Sequence, residues 1–154
     1  KTKKKMVSEF IDFYAKNINN DSKPIKGIFN FLNWAKSKNI SMNVCTNKKE
    51  FLAIDLLKKI NMYKYFDYVA GADTFEFNKP DPRHLTNIVE IVGGNLDKTI
   101  MIGDSEVDAM SAHNAKIPFV LVKDGYTEKS EKEIKHDELI SDFIGFEKII
   151  EKYL

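Results

Sequence analysis

A chain of 154 residues is long enough for one domain with a genuine core, and 43% hydrophobic with 31% charged residues is the balance of a soluble globular protein. The formal net charge of +1 gives no reason to expect nucleic acid or an anionic membrane as a partner. The single cysteine, Cys45, excludes an internal disulfide and fits a reducing compartment; no apolar run reaches membrane-span length and no signal peptide is recognisable, so a cytoplasmic location is expected.

From the amino end, KTKKK leads into the periodic pattern Met6, Val7, Phe10, Ile11 and Tyr14. Lys3 to about Ile18 is therefore predicted as an amphipathic helix with a solvated basic start rather than a nucleic-acid arm. The polar break NINNDSKP follows. Pro24 suits an early helix position, Ile28, Phe29, Leu32 and Ala35 supply an apolar face, and Asn39 can end that helix in a left-handed conformation. ISMNVCT reads as a strand with Ile40, Met42 and Val44 on one face. Phe51, Ile54, Leu57 and Ile60 mark the next helix, and FDYVAG reads as a short strand ending in Gly71. A helix through Leu85, Ile88, Val89 and Val92 stops at Gly93-Gly94. Thr99–Ile102, β-branched and apolar, suits a buried parallel strand, with Gly103 permitting a tight exit from it. Ser105 caps a helix running to about Ala115, whose residues Val107, Met110 and Ala115 recur on one face. IPFVLVK is another buried strand with Pro118 at its edge, and DFIGFEKIIEKYL closes the chain as a helix. Strands alternating with helices specify an α/β protein, a parallel sheet covered by helices on both faces.

Three strand ends carry residues capable of chemistry. In NVCTNK the hydroxyl of Thr46 and the amides of Asn47 and Lys48 stand where a strand gives way to a helix, which suits a phosphate oxygen; a simple helix cap is the alternative for Thr46. In NKPDP, Pro80 and Pro82 hold the loop extended and restrict where Lys79 points, and a fixed ammonium can neutralise a transferred phosphoryl group; a surface lysine in a proline turn is the alternative. In GDSEVD, Asp104 sits at a strand's carboxyl end, where open α/β sheets place ligands, and Asp108 follows one turn later and can point back to the same spot. These acids supply oxygen ligands of the kind Mg²⁺ prefers, or they complement the helix dipole.

In this order and context, the three motifs resemble the haloacid dehalogenase superfamily, and most closely its phosphoglycolate phosphatases. The likeness runs through KPIKGIFNFLNWAKSKNISMNVCTNKK, YFDYVAGAD, NKPDPRHL, IMIGDSEVDAMSAHNA and VKDGYTEKS. It implies a Rossmann-like three-layer core over residues 23–154, with 1–22 as the last helix of a helical cap and its linker. It also implies a Mg²⁺-dependent phosphatase acting on a small phosphorylated metabolite through an aspartyl-phosphate. Thr46, Asn47 and Lys79 would bind the phosphoryl group, Lys79 would also stabilise the charged intermediate, Asp104 would help hold Mg²⁺, and Asp108 would orient Lys79 or the metal's water shell. A sugar-phosphate phosphatase or phosphomutase of the superfamily, and a non-catalytic remnant that binds a partner or ligand, are the alternatives.

The sequence departs from this pattern in one respect. The family begins with a strand ending in Asp-x-Asp, nucleophile and general acid, and nothing before Lys23 matches it: Asp12 has no acid at that spacing and Asp21 is isolated. The nucleophile strand is therefore expected to be missing, leaving the strands that end near Thr46 and Gly103 without their central neighbour; the missing amino-terminal segment is a candidate partner. His84, His113 and His136 fit no metal spacing and are expected to be structural, and Cys45 to be a small buried hydrophobe. DGYTEKSE is a candidate loop at the site mouth, with Tyr126 as a candidate substrate contact.

Overall fold

A computed structural model of the chain describes residues 6–10, 24–123 and 129–154. Its architecture grows from Ile40–Cys45 (β2), every residue of which is buried. Strand β2 pairs in parallel with Met6–Phe10 (β1) on one side and Tyr68–Ala70 (β3) on the other. A second parallel ladder joins Met101–Gly103 (β4), Phe119–Val122 (β5) and Glu138–Ile140 (β6), in that order. Because β1 also lies against β4, the strands succeed one another as β3-β2-β1-β4-β5-β6.

Alternation along these strands divides the apolar residues between two cores, as the period of two requires. Ile40, Met42, Val44, Ile100, Ile102, Val120 and Val122 meet the helices Ile28–Ser37 (α1), Glu50–Lys59 (α2) and Phe146–Glu151 (α5). Cys45, Ala70, Met101, Phe119 and Leu121 point the other way, toward Arg83–Ile91 (α3) and Glu106–Asn114 (α4). Helix–sheet–helix layering of a parallel sheet is the Rossmann-like arrangement expected above. The first core is anchored by Phe31, whose ring lies 4.8 Å from Phe146 and 5.8 Å from Phe143. No helix among the described residues is long and apolar enough to cross a membrane.

Several local readings hold. Asn39 has φ +60° after α1, Gly93 has φ +73° after α3, and the Ser105 hydroxyl caps α4 by accepting from the Asp108 N–H. Others need correction. Helix α1 begins at Ile28 rather than near Pro24, because Gly27 (φ +85°) turns the chain against the 143–144 backbone, where a β-carbon would stand 2.7 Å from the Ile144 nitrogen. Phe51 is 65% exposed and Met110 49%; Ala53, Leu56 and Leu57 face inward from α2, and Asp108, Ala109, Ser111 and Ala112 from α4. Small residues let α4 approach the sheet closely, and Met110 is left on the outside. The strand β6 has only Ile140 buried, too weak a pattern to stand out in the sequence.

The largest difference is at the amino end. Met6–Phe10, expected within a helix, is a strand, and it occupies the place beside β2 that was expected to be open. An unpaired strand edge presents a row of N–H and C=O groups that any extended segment can satisfy. Tertiary pairing here overrides a helical period. The fit is irregular, with a register shift between Val7 and Glu9. The rest of the 1–22 cap helix, Asp12, Asp21 and Tyr126 lie outside the described residues.

Candidate active site

The site is assembled from the loops that follow β2, β3 and β4. After β2, Thr46 is buried and its N–H donates to the Ala70 carbonyl (3.0 Å), tying it to the end of β3. Its hydroxyl oxygen accepts from the Lys48 N–H (3.1 Å), so it shapes the turn into α2 rather than capping the helix, whose first flanking residue is Lys49. A hydroxyl that accepts in this way still has its own proton to donate. The loop is clamped from the β3 side: the Glu50 N–H donates to Asp73 Oδ1 (2.9 Å), and the Thr74 hydroxyl donates to Glu50 Oε1 (2.8 Å).

Lys79 is not a surface lysine. It is 3% exposed, and its ammonium donates to Asp108 Oδ1 at 2.5 Å, in an ion pair whose side chains are 1% and 0% exposed. Its main chain is held as well. Asn47 Nδ2 donates to the Lys79 carbonyl (2.9 Å), while the Lys79 N–H is shared by Asn47 Oδ1 (3.1 Å) and His84 Nδ1 (3.0 Å). On the exposed side, Asp81 is held down at about 2 by the hydrogen bonds and charge of Arg83, whose guanidinium covers the Phe77 ring at 4.4 Å.

After β4, the Asp104 N–H donates to Asp108 Oδ2 (3.0 Å). Both oxygens of Asp108 are thus engaged, one by Lys79 and one by the main chain at the strand exit. Gly103 is required by this close approach: a β-carbon there would meet Asp108 Oδ2 at 2.5 Å and its Cγ at 2.6 Å. Gly103→Ala is therefore expected to displace Asp108 from Lys79, at a cost of about 1–3 kcal/mol in a urea melt. An unchanged midpoint would show that the approach is not tight.

A chain of hydrogen bonds thus runs from Asn47 through Lys79 and Asp108 to Asp104, joining four of the residues singled out in the sequence; Thr46 stands next to Asn47 in the same loop. Among the described residues no group of three His, Cys, Asp or Glu could hold a metal ion. Half-buried Asp104, directly after β4, is a carboxylate placed to contribute. Mg²⁺ keeps several waters and takes one or two carboxylates beside phosphate oxygens, so Asp104 fits as part of such a site.

Sequence reasoning missed the part played by His84, which bridges the Lys79 N–H and the Gly71 carbonyl (3.1 Å from Nε2). The signal was its place five residues after Lys79, past the two prolines. His113 and His136 instead lie against the carbonyls of Lys135 and Ile134, and Cys45 is buried in β2.

Residues 1–122 match the family model of haloacid dehalogenase-like hydrolases. The chain belongs to that family. It is 38% identical over 152 residues to a phosphoglycolate phosphatase of Agrobacterium fabrum, covering 96% of this chain and 65% of the relative. It is also 38% identical over 143 residues to one from Caulobacter vibrioides, covering 93% and 60%. The fold resembles a predicted phosphoglycolate phosphatase from Haemophilus somnus, with TM-score 0.81, 24% identity, and 87% of this chain and 60% of that one covered. A hydrolase of the same superfamily from Geobacter sulfurreducens aligns with TM-score 0.69 and 25% identity, over 82% and 55%. The chain spans less than two thirds of the length of these relatives.

Proposed function

We propose that this chain is the larger part of a Mg²⁺-dependent phosphatase that hydrolyses a small phosphomonoester of the phosphoglycolate kind. The observation that carries this reading is the buried Lys79–Asp108 pair, anchored by Asn47 and joined to Asp104 at the strand end. Such a lysine is an immobile positive charge, and a phosphoryl group in transfer gains most from charge that needs no reorganisation.

Each residue then has a role. Lys79 receives one phosphoryl oxygen; an ammonium has three donors, so the bond to Asp108 orients it without exhausting it. The Thr46 hydroxyl and the Asn47 main-chain amide receive another, at the start of a helix whose dipole favours an anion. Asp108 aims Lys79 and braces the main chain under Asp104. Mg²⁺, when bound through Asp104, supplies further neutralisation of phosphoryl charge. These 154 residues contain no Asp-x-Asp pair, so the nucleophile falls to residues outside them, whose strand would take the place that β1 holds here beside β2. That aspartate would displace the alcohol from phosphorus, a second would protonate the leaving oxygen, and water would hydrolyse the acyl phosphate.

The test is phosphate release from 2-phosphoglycolate by the full-length protein, with and without Mg²⁺. Metal-dependent turnover is expected there and none from a polypeptide of residues 1–154 alone. Robust turnover by that polypeptide, or a full-length protein inert toward every phosphomonoester offered, would overturn the reading.

A further inference from the structure

His84 takes no part in the chemistry just described, yet it is fully buried and both of its ring nitrogens meet main-chain groups of the site. The Lys79 N–H lies 3.0 Å from Nδ1, and the Gly71 carbonyl 3.1 Å from Nε2. A backbone N–H can only donate, so Nδ1 carries no proton. A neutral ring then bears its proton on Nε2, where a carbonyl stands to accept it. Phe75 packs edge-on to the imidazole, with centroids 5.9 Å apart, and fixes its plane.

We propose that His84 is a positioning residue: a neutral imidazole, protonated on Nε2, that straps the Lys79 main chain to the carboxyl end of β3 and so sets where the Lys79 ammonium stands. Lys79 is then located from three directions. Asn47 holds its peptide from the β2–α2 loop, His84 from β3 and α3, and Asp108 holds its ammonium from α4. A displacement of about 1 Å can cost a reaction about 100-fold when charge must meet a moving group. A buried apolar side chain of similar volume would fill the space, but it would leave the Gly71 carbonyl without this donor and the Lys79 N–H with Asn47 as acceptor. The strap rests on the role of Lys79 proposed above only for its effect on catalysis; its geometry can be tested apart from that role.

The experiment uses the ¹⁵N-labelled full-length protein. Imidazole ¹⁵N shifts are expected to show the Nε2–H tautomer, with a scalar coupling across the hydrogen bond from the Lys79 amide nitrogen to His84 Nδ1. A ring protonated on Nδ1, or no such coupling, overturns the proposal whatever the activity. With the phosphomonoester that the wild type hydrolyses, His84→Leu is expected to lower kcat about 10–100-fold with KM within about twofold. His84→Asn, whose Oδ1 can replace the Nδ1 acceptor, should recover most of the loss; His84→Gln, which replaces the Nε2 donor instead, should not. Equal activity in the Asn and Gln variants, or wild-type kcat in folded His84→Leu, overturns the catalytic part. If the wild type hydrolyses no phosphomonoester, the reading under Proposed function fails, and the coupling and tautomer still decide the strap.

Discussion

Lys79→Ala is expected to destabilise the protein by about 3–5 kcal/mol, the usual cost of removing one partner from a buried ion pair. This reverses what the sequence suggests. A lysine just ahead of two prolines in a loop reads as removable without a core defect, but the ammonium is buried against a carboxylate that is buried too. Without Lys79, Asp108 keeps its bond from the Asp104 N–H and loses the cation beside it. Asp108→Asn strands the ammonium in the same way. The double variant Lys79→Met/Asp108→Asn removes both charges, and should be more stable than the sum of the Lys79→Met and Asp108→Asn losses predicts. A coupling of about 2 kcal/mol or more is expected from urea unfolding of the four proteins. Additive losses would show that the two charges do not depend on each other. The double variant also separates fold from chemistry: stability should return, and phosphatase activity should not.

Asp104→Asn should abolish most of the response to Mg²⁺ while leaving the fold largely intact. Asp104 is half-buried at the end of β4, and its main-chain N–H makes the bond to Asp108 that braces this turn, a bond the substitution leaves in place. Loss of one carboxylate should therefore cost metal affinity before it costs stability. Asp108→Asn, acting through a neighbour, should change metal affinity by no more than the roughly 10–100-fold typical of groups that support a ligand. Asp104→Asn should exceed that. Two measurements check this: activity of the full-length protein against Mg²⁺ concentration, and the rise in Tm that Mg²⁺ produces by binding the folded state. A Tm that rises equally in wild type and Asp104→Asn would remove Asp104 from the metal site.

Much of this molecule is written locally. Strand β2 with Ile40, Met42 and Val44 on one face, the left-handed Asn39, the Ser105 cap and the exit at Gly103 each follow from a period or a backbone preference a few residues long. The three motifs at strand ends identified the family because each depends on residues adjacent in the chain. The inward faces of α2 and α4 were less legible. Phe51 and Met110 are large and apolar, but a helix close to a sheet selects for small volume, so Ala53, Ala109 and Ala112 are buried instead.

By itself, the sequence determined the α/β class and most of the order of its elements from residue 24 onward, and it singled out Asn47, Lys79, Asp104 and Asp108, which the fold joins at the strand ends, since hydrophobic period and turn chemistry act over short distances. Only the tertiary structure decided that Met6–Phe10 pairs beside β2 rather than coiling, because an open strand edge outweighs a weak helical period. Only the tertiary structure, too, decided that Lys79 is buried and that Asp108 spends both oxygens holding it and the Asp104 main chain. Asn47, His84 and Asp108 lie 32, 5 and 29 residues from Lys79 along the chain. Their agreement on one lysine depends on how three loops meet at the sheet's end, and no local pattern in the sequence encodes that meeting.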